Sequence, residues 1–223
     1  MQSIQKPITS WAKALLFDFD FTLGDSSEAV VDCVNFALQQ VGAPQARAEA
    51  IKRTIGLPFN KIFAQFCPQH IEAASHHFFD CADRIMVDKT VLYPGVVEML
   101  QALREQAGLQ LAVISTKNHQ RLEEIFDRFG LSQTFAAIVG GDDIPNPKPA
   151  PDATLLALKR LGCTAMQALF IGDSVMDAGS AKSAGVAFCG VTSGTTSAAQ
   201  LHEAGALETY ATVTGAVSDL VLS

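Results

Sequence analysis

The stretch Leu15–Ser27, "LLFDFDFTLGDSS", decides the fold. Its apolar start, read with Ala14 as "ALLFDFD", is too short for a stable helix and suits a strand buried on both faces of a parallel sheet. Asp18 and Asp20 stand two apart where that strand finishes. Residues two apart in a strand point to one face, so two like charges start out side by side. Partly buried like charges repel and need compensation. The remainder of the chain therefore has to supply a metal ion, a cation, or both.

Working outward, similar short apolar runs recur at "LQLAVIS" (Leu109 to Ser115), "FAAIVGG" (Phe135 to Gly141), "ALFIGD" (Ala168 to Asp173) and "VAFCGV" (Val186 to Val191). Helical patterns lie between them. "NHQRLEEIFDRFGL" carries Leu122, Ile125, Phe126 and Phe129 at helical spacing, with Gly130 as the stop. "PDATLLALKRLG" opens on Pro151 and Asp152 and closes on Gly162. Alternating strands and helices predict a doubly wound, Rossmann-like α/β sheet, whose ligands sit at the carboxyl ends of the strands. Asp18, Ser115 and Asp173 all fall at such ends.

One segment breaks the alternation. Residues 25–92 read as helices without a strand. "SSEAVVDCVNFALQQVG" puts Val30, Cys33, Val34, Ala37, Leu38 and Val41 on one face, with Ser26 or Asp25 as its cap and Gly42 as its end. "IKRTIGLPFNKIFAQF" is interrupted at "GLP", and "HIEAASHHFFDCADRIM" follows. The expected organisation is an α/β core over 1–24 and 93–223, with a helical domain over 25–92.

Composition narrows the function classes. Of the 223 residues, 48% are hydrophobic and 17% charged, which supports a packed core rather than disorder. The net charge is −7 and no basic stripe is present, which argues against a nucleic-acid partner. The five cysteines form no C-x-x-C pair and read as reduced thiols. The start, "MQSIQKPITSWAK", has no apolar signal core, and no run is long enough for a membrane span. The expectation is a cytoplasmic protein without a membrane or nucleic-acid partner, as a monomer or homodimer.

Two further segments complete the set begun by Asp18 and Asp20. "GDSVMD" places Asp173 and Asp177 after a later strand, and "NPKPAPD" holds Lys148 between Pro147 and Pro149 before a helix. Clustered carboxylates with a partly open shell suit Mg²⁺, which binds few carboxylates and keeps room for waters and substrate phosphate. Asp18, Asp20, Ser115, Lys148, Asp173 and Asp177 together suit phosphoryl transfer. A cation and a metal neutralise phosphate, a hydroxyl donates to a phosphate oxygen, and a carboxylate attacks phosphorus.

"DFDFTLGDS", "VISTKN", "NPKPAPD" and "IGDSVMDAGSAKSAG" resemble, in order and spacing, the four motifs of the haloacid dehalogenase superfamily. The chain is most similar to its phosphoglycolate phosphatase-type branch, which has a helical cap inserted after the first motif. The resemblance implies a Mg²⁺-dependent phosphatase acting on a small phosphomonoester. Asp18 takes the place of the nucleophile and metal ligand. Asp20 takes that of the general acid and base, its backbone carbonyl touching the metal. The resemblance further gives Ser115 and the Thr116 N–H to the phosphate, Lys148 to both nucleophile and phosphate, Asp173 to the metal, and Asp177 to the metal's support. The family usually has glycine after the second aspartate, and this chain has Phe21. Phenylalanine at positive φ is strained, so either the backbone there is ordinary or the ring fills space beside the cap. In the cap loop "RTIGLPF", Arg53 is the candidate for a substrate carboxylate or second phosphate.

Plainer readings exist for each residue. Asp18 and Asp20 could end a solvated strand, Ser115 could cap it, Lys148 could be a surface lysine, and Asp173 could cap a helix. Asp142 and Asp143 read as loop residues. His76 and His77, adjacent on a helix, point about 100° apart and do not suit one metal, and His70 is read in the same way. A sugar-phosphate mutase, a pyrophosphatase or a phosphonate hydrolase would share the core, while Asp20 counts against a dehalogenase. Outside that class stand a phospho-aspartate receiver and a silent phosphate-binding protein. The helical insertion and the acidic motif after the lysine count against the receiver.

Overall fold

The computed structural model describes residues 4, 7–106 and 108–221. The chain divides into two compact units, Met1–Gly24 with Leu92–Ser223, and Asp25–Val91. Strand β1 (Ala14–Phe17) is buried throughout, as a strand covered on both faces must be. Two-residue strands β2 (Gly24–Asp25) and β3 (Val91–Leu92) pair where the chain leaves and rejoins the first unit.

The second unit is helical. It contains α1 (Ser27–Gln40), α2 (Ala48–Lys52), α3 (Phe59–Phe66) and α4 (Ile71–Lys89). The backbone N–H of Ser27 donates to Asp25 Oδ1 at 2.7 Å, so Asp25 satisfies the first turn of α1. Val30, Cys33, Val34, Ala37 and Leu38 pack into the unit's core, while Val41 is partly covered. The core also takes Phe63 and Phe78, with Phe59 stacked 4.6 Å from Phe78. The chain turns between α2 and α3, where the sequence reads "GLP".

The first unit continues with α5 (Val96–Arg104), β4 (Gln110–Ile114), α6 (His119–Arg128), β5 (Ala137–Val139), α7 (Asp152–Leu161), β6 (Ala168–Gly172), α8 (Val175–Ala184), β7 (Ala187–Val191), α9 (Ala198–Ala204), β8 (Glu208–Tyr210) and α10 (Val213–Val221). The sheet order is β5-β4-β1-β6-β7-β8, and all five strand pairings are parallel. From β1 the chain first builds outward through β4 and β5, then crosses back to lay β6 on the other side. That reversal opens a crevice beyond the carboxyl ends of β1 and β6, where open α/β sheets bind ligands. Gly130 and Gly162 lie at the ends of α6 and α7 with φ of 71° and 64°. Among the described residues no helix is long and apolar enough to cross a membrane, and the five cysteines are free thiols.

Candidate active site

Four carboxylates collect at the switch point. β1 pairs with β6 so that Phe17 lies opposite Ile171, and the Asp18 N–H donates to the Ile171 carbonyl at 3.0 Å. Asp18 therefore emerges directly beside Asp173, which follows β6. Asp177 comes from the first turn of α8, whose amino end Ser174 caps. Ser174 N–H and Oγ donate to Asp177 Oδ2 at 3.1 and 2.5 Å, and the Asp177 N–H returns a bond to Ser174 Oγ at 3.2 Å. The helix cap is thus Ser174 rather than Asp173. One oxygen from each of Asp18, Asp173 and Asp177 lies within 4.8 Å of the other two, and all three residues are buried.

Lys148 reaches this cluster from the loop between β5 and α7. Its ammonium donates to Asp18 Oδ1 at 2.8 Å and to Asp177 Oδ1 at 2.5 Å, with only 4% of the side chain exposed. Burial alone would depress the lysine, but Asp177 and Asp18 outweigh it and hold the ammonium protonated. Burial pushes the Asp18 carboxyl up to about 7, with Asp177 adding repulsion and Lys148 opposing. Burial, then Asp177 and Asp18, raises Asp173 well above the usual carboxylate range. Thr22 Oγ1 donates to Asp173 Oδ1 at 3.5 Å.

Asp20 does not share Lys148. Its Oδ2 accepts from Lys117 Nζ at 2.6 Å, with the two side chains 9% and 7% exposed. Lys117 is the site residue that sequence reading passed over, although it stands inside the quoted "VISTKN". A lysine two residues beyond a strand-end serine gives no periodic signal, and only the fold shows which carboxylate it meets. Ser115 is buried at the end of β4, its N–H bonded to the Val139 carbonyl at 3.0 Å, and its Oγ accepts from the Lys117 N–H at 3.2 Å. Thr116 is half-buried between them. Asp18, Asp20, Ser115, Lys148, Asp173 and Asp177 thus gather in one unit at one sheet edge.

Backbone glycine completes the crevice. A Cβ at Gly194, just after β7, would overlap Asp173 Oδ2, so only glycine admits the chain there. The neighbouring Ser193 hydroxyl donates to the Phe21 carbonyl. Phe21 has φ of 59°, so it takes the left-handed conformation that glycine normally fills, with a phenyl ring attached. The ordinary backbone allowed by the sequence is not the one adopted. The Phe21 N–H donates to the Gly24 carbonyl at 2.7 Å, which closes the turn that positions Asp20.

Asp142 and Asp143 bind protein groups. Asp142 Oδ1 accepts from the His119 N–H at 2.7 Å. Asp143 accepts from the Gly140 N–H, from Arg160 and, at 2.8 Å, shares a bond with His119 Nδ1. Burial would raise Asp143, but Arg160, His119 and Gly140 hold it at about 2. His76, exposed, and His77, half-buried, lie near Asp80 on α4. Arg53 is exposed at the end of α2 in the helical unit.

The donor set fits a divalent metal. Four buried carboxylates, Asp18, Asp20, Asp173 and Asp177, face two ammonium groups, Lys117 and Lys148, which leaves two negative charges when all are ionised. Hard oxygen donors with that residual charge match Mg²⁺. Asp177 is engaged at both oxygens, by Lys148 and Ser174, which leaves Asp18 and Asp173 as the side chains that could hold such an ion.

Comparisons with known proteins give the family. The haloacid dehalogenase-like hydrolase family matches residues 15–191. A Dickeya dadantii protein named "Probable phosphatase IndB" is 34% identical over 217 residues, 93% of this chain and 94% of that one. A phosphoglycolate phosphatase of Pseudomonas syringae pv. tomato is 33% identical over 184 residues, 78% of this chain and 67% of that one. A crystal structure from Bacteroides fragilis, assigned to the haloacid dehalogenase-like hydrolases, superposes with a TM-score of 0.87 at 34% identity, over 92% of this chain and 99% of that one. The chain belongs to the haloacid dehalogenase-like hydrolase family, and within it is a phosphoglycolate phosphatase-like hydrolase.

Proposed function

We propose that the protein is a Mg²⁺-dependent phosphatase that hydrolyses a small phosphomonoester, phosphoglycolate or a related compound, through an aspartyl-phosphate on Asp18. The observation that carries this reading is the pairing of two buried lysines with four buried carboxylates at one switch point. The names of the relatives support the substrate class. When bound, Mg²⁺ supplies positive charge to the phosphoryl oxygens and to Asp18.

This chain's residues perform the steps. Lys148, Ser115 and the Thr116 N–H bind the phosphate oxygens and hold phosphorus in front of Asp18. A carboxylate oxygen of Asp18 forms the bond to phosphorus as the ester P–O bond breaks. Asp20 gives its proton to the leaving oxygen, and then takes one from the water that attacks the aspartyl-phosphate. Inorganic phosphate leaves and Asp18 is restored. Arg53, on the family resemblance, and Phe21, where the chain departs from the family's glycine, are the candidate substrate contacts.

Phosphate release from a panel of phosphomonoesters, with Mg²⁺ or EDTA, tests the reading in wild type and Asp18→Asn. Turnover that needs Mg²⁺ and vanishes in the variant is expected. A folded, Mg²⁺-binding wild type that turns over none of the esters would overturn it and direct attention to mutase substrates.

A further inference from the structure

Lys117 has no part in the steps above, yet its ammonium is buried. Taking an ammonium out of water costs several kcal/mol, and a buried ion pair adds little stability over an apolar pair of the same volume. Such a pair is better explained by the geometry it fixes. Lys117 Nζ lies 2.6 Å from Asp20 Oδ2 and 5.5 Å from the centre of the Phe19 ring, which is itself fully buried. The lysine also springs from a fixed base. Its N–H donates to Ser115 Oγ at 3.2 Å, and its carbonyl accepts from the Gly141 N–H at 2.7 Å. Asn118, the next residue, caps α6 by accepting from the Arg121 N–H at 3.3 Å. The following N–H, of His119, is held by Asp142 at 2.7 Å.

We infer that Lys117 is a positioning residue for proton transfer, a rigid arm that fixes the Asp20 carboxyl by its Oδ2 so that Oδ1 meets the leaving oxygen. The inference rests on the reading of Asp20 as the general acid. In the step concerned, the Asp18–phosphorus bond forms, the ester P–O bond breaks, and the proton moves from Asp20 Oδ1 to the departing oxygen. Lys117 touches neither substrate nor phosphorus. It also ties two parts of the site together, since one residue anchors the phosphate-binding Ser115 through its backbone and the acid through its side chain.

The test compares kcat/KM for an alkyl ester, 2-phosphoglycolate, with that for p-nitrophenyl phosphate, in wild type, Lys117→Met, Lys117→Arg and Asp20→Asn. An alkoxide needs a proton in order to leave, whereas p-nitrophenolate does not. Because kcat/KM covers only the steps through departure of that group, hydrolysis of the aspartyl-phosphate does not blur the comparison. K117M is expected to lose about 30-fold more kcat/KM on the alkyl ester than on the aryl ester, part of the 10²–10⁴ that a positioned acid contributes. K117R, which keeps a cation near Asp20, restores the alkyl ester to within about fivefold of wild type, and KM for both esters moves little. Equal losses on both esters, or no recovery in K117R, would show a merely structural lysine and overturn the inference. If K117M does not fold, Lys117→Gln is read by the same criteria. D20N separates the two levels. A selective alkyl loss in D20N without one in K117M overturns the inference alone, and an unselective D20N removes the reading of Asp20 as well.

Discussion

Phe21 shows most clearly how local cost and site geometry trade off at a single residue. At φ of 59° a side chain with a Cβ costs about 1 kcal/mol relative to glycine. The strain sits one residue past Asp20, in a turn held by the Gly24 carbonyl and the Ser193 hydroxyl. Removing the ring while keeping the Cβ separates strain from packing. Phe21→Gly is therefore expected to be more stable than Phe21→Ala by about 1 kcal/mol in urea unfolding, because only glycine relieves the backbone. An alanine variant as stable as the glycine one would show that the turn stores no strain. The same residue marks a limit of sequence reading. "DFT" shows that glycine is absent, but the sign of φ is set by the turn's hydrogen bonds and by Ser193, far away in the chain.

At the scale of elements, α8 is shaped to receive the loop that carries Lys148. Gly179 lies inside that helix, where glycine costs up to about 1 kcal/mol relative to alanine. The reason is a neighbour, since a Cβ at Gly179 would stand 2.6 Å from the Pro149 Cβ. Ser180 completes the seat by donating to the Ala150 carbonyl at 2.9 Å and sharing a 2.8 Å bond with Thr154. A proline ring cannot swing aside, so Gly179→Ala moves the loop and takes Lys148 away from Asp18. The expected outcome is at least a tenfold fall in kcat with a folded circular dichroism spectrum, since a shift of about 1 Å at a reacting group can cost 10²-fold. Activity within twofold of wild type would mean that the loop tolerates the displacement.

The elements themselves were unevenly legible. Five core strands could be read because each is a short apolar run between turn signals, and the capped helices because Gly130 and Gly162 mark their ends. β8 could not, since Glu208–Tyr210 is a three-residue, half-buried edge strand with polar residues and no apolar run. The helical segment was expected over 25–92, and the compact unit ends at Val91. Six site residues were visible in the sequence, Asp18, Asp20, Ser115 and Asp173 at strand ends, Lys148 in a proline-flanked loop before a helix, and Asp177 four residues beyond Asp173. Lys117, Ser193 and Gly194 were not, because their roles arise from contacts with Asp20, Phe21 and Asp173, which only the folded sheet brings near.

For the whole molecule, the acidic site links stability to both pH and metal. In the metal-free protein burial holds Asp18 near 7, and Asp173 is also raised. A raised carboxyl binds its proton more tightly folded than unfolded. Its contribution is complete below the ordinary value of 3.8 and is lost as pH climbs through about 7. Mg²⁺ favours the ionised cluster and so counters that loss where it is greatest. The rise in Tm on adding Mg²⁺ is therefore expected to be several degrees at about pH 7.5 and much smaller at about pH 5. EDTA should reverse it. An equal or larger rise at the lower pH would contradict the assignment of the ion to these carboxylates.

The most direct test of the central claim is to trap the phosphoryl group on the protein. A ³²P-labelled ester is mixed with enzyme and Mg²⁺, quenched in acid within the first turnover, and the digest is mapped. Acid-stable, base-labile label on the peptide that contains Asp18, absent in Asp18→Asn, is the predicted result. Turnover without label on any carboxylate, or label on a different residue, would contradict a mechanism in which Asp18 is the nucleophile.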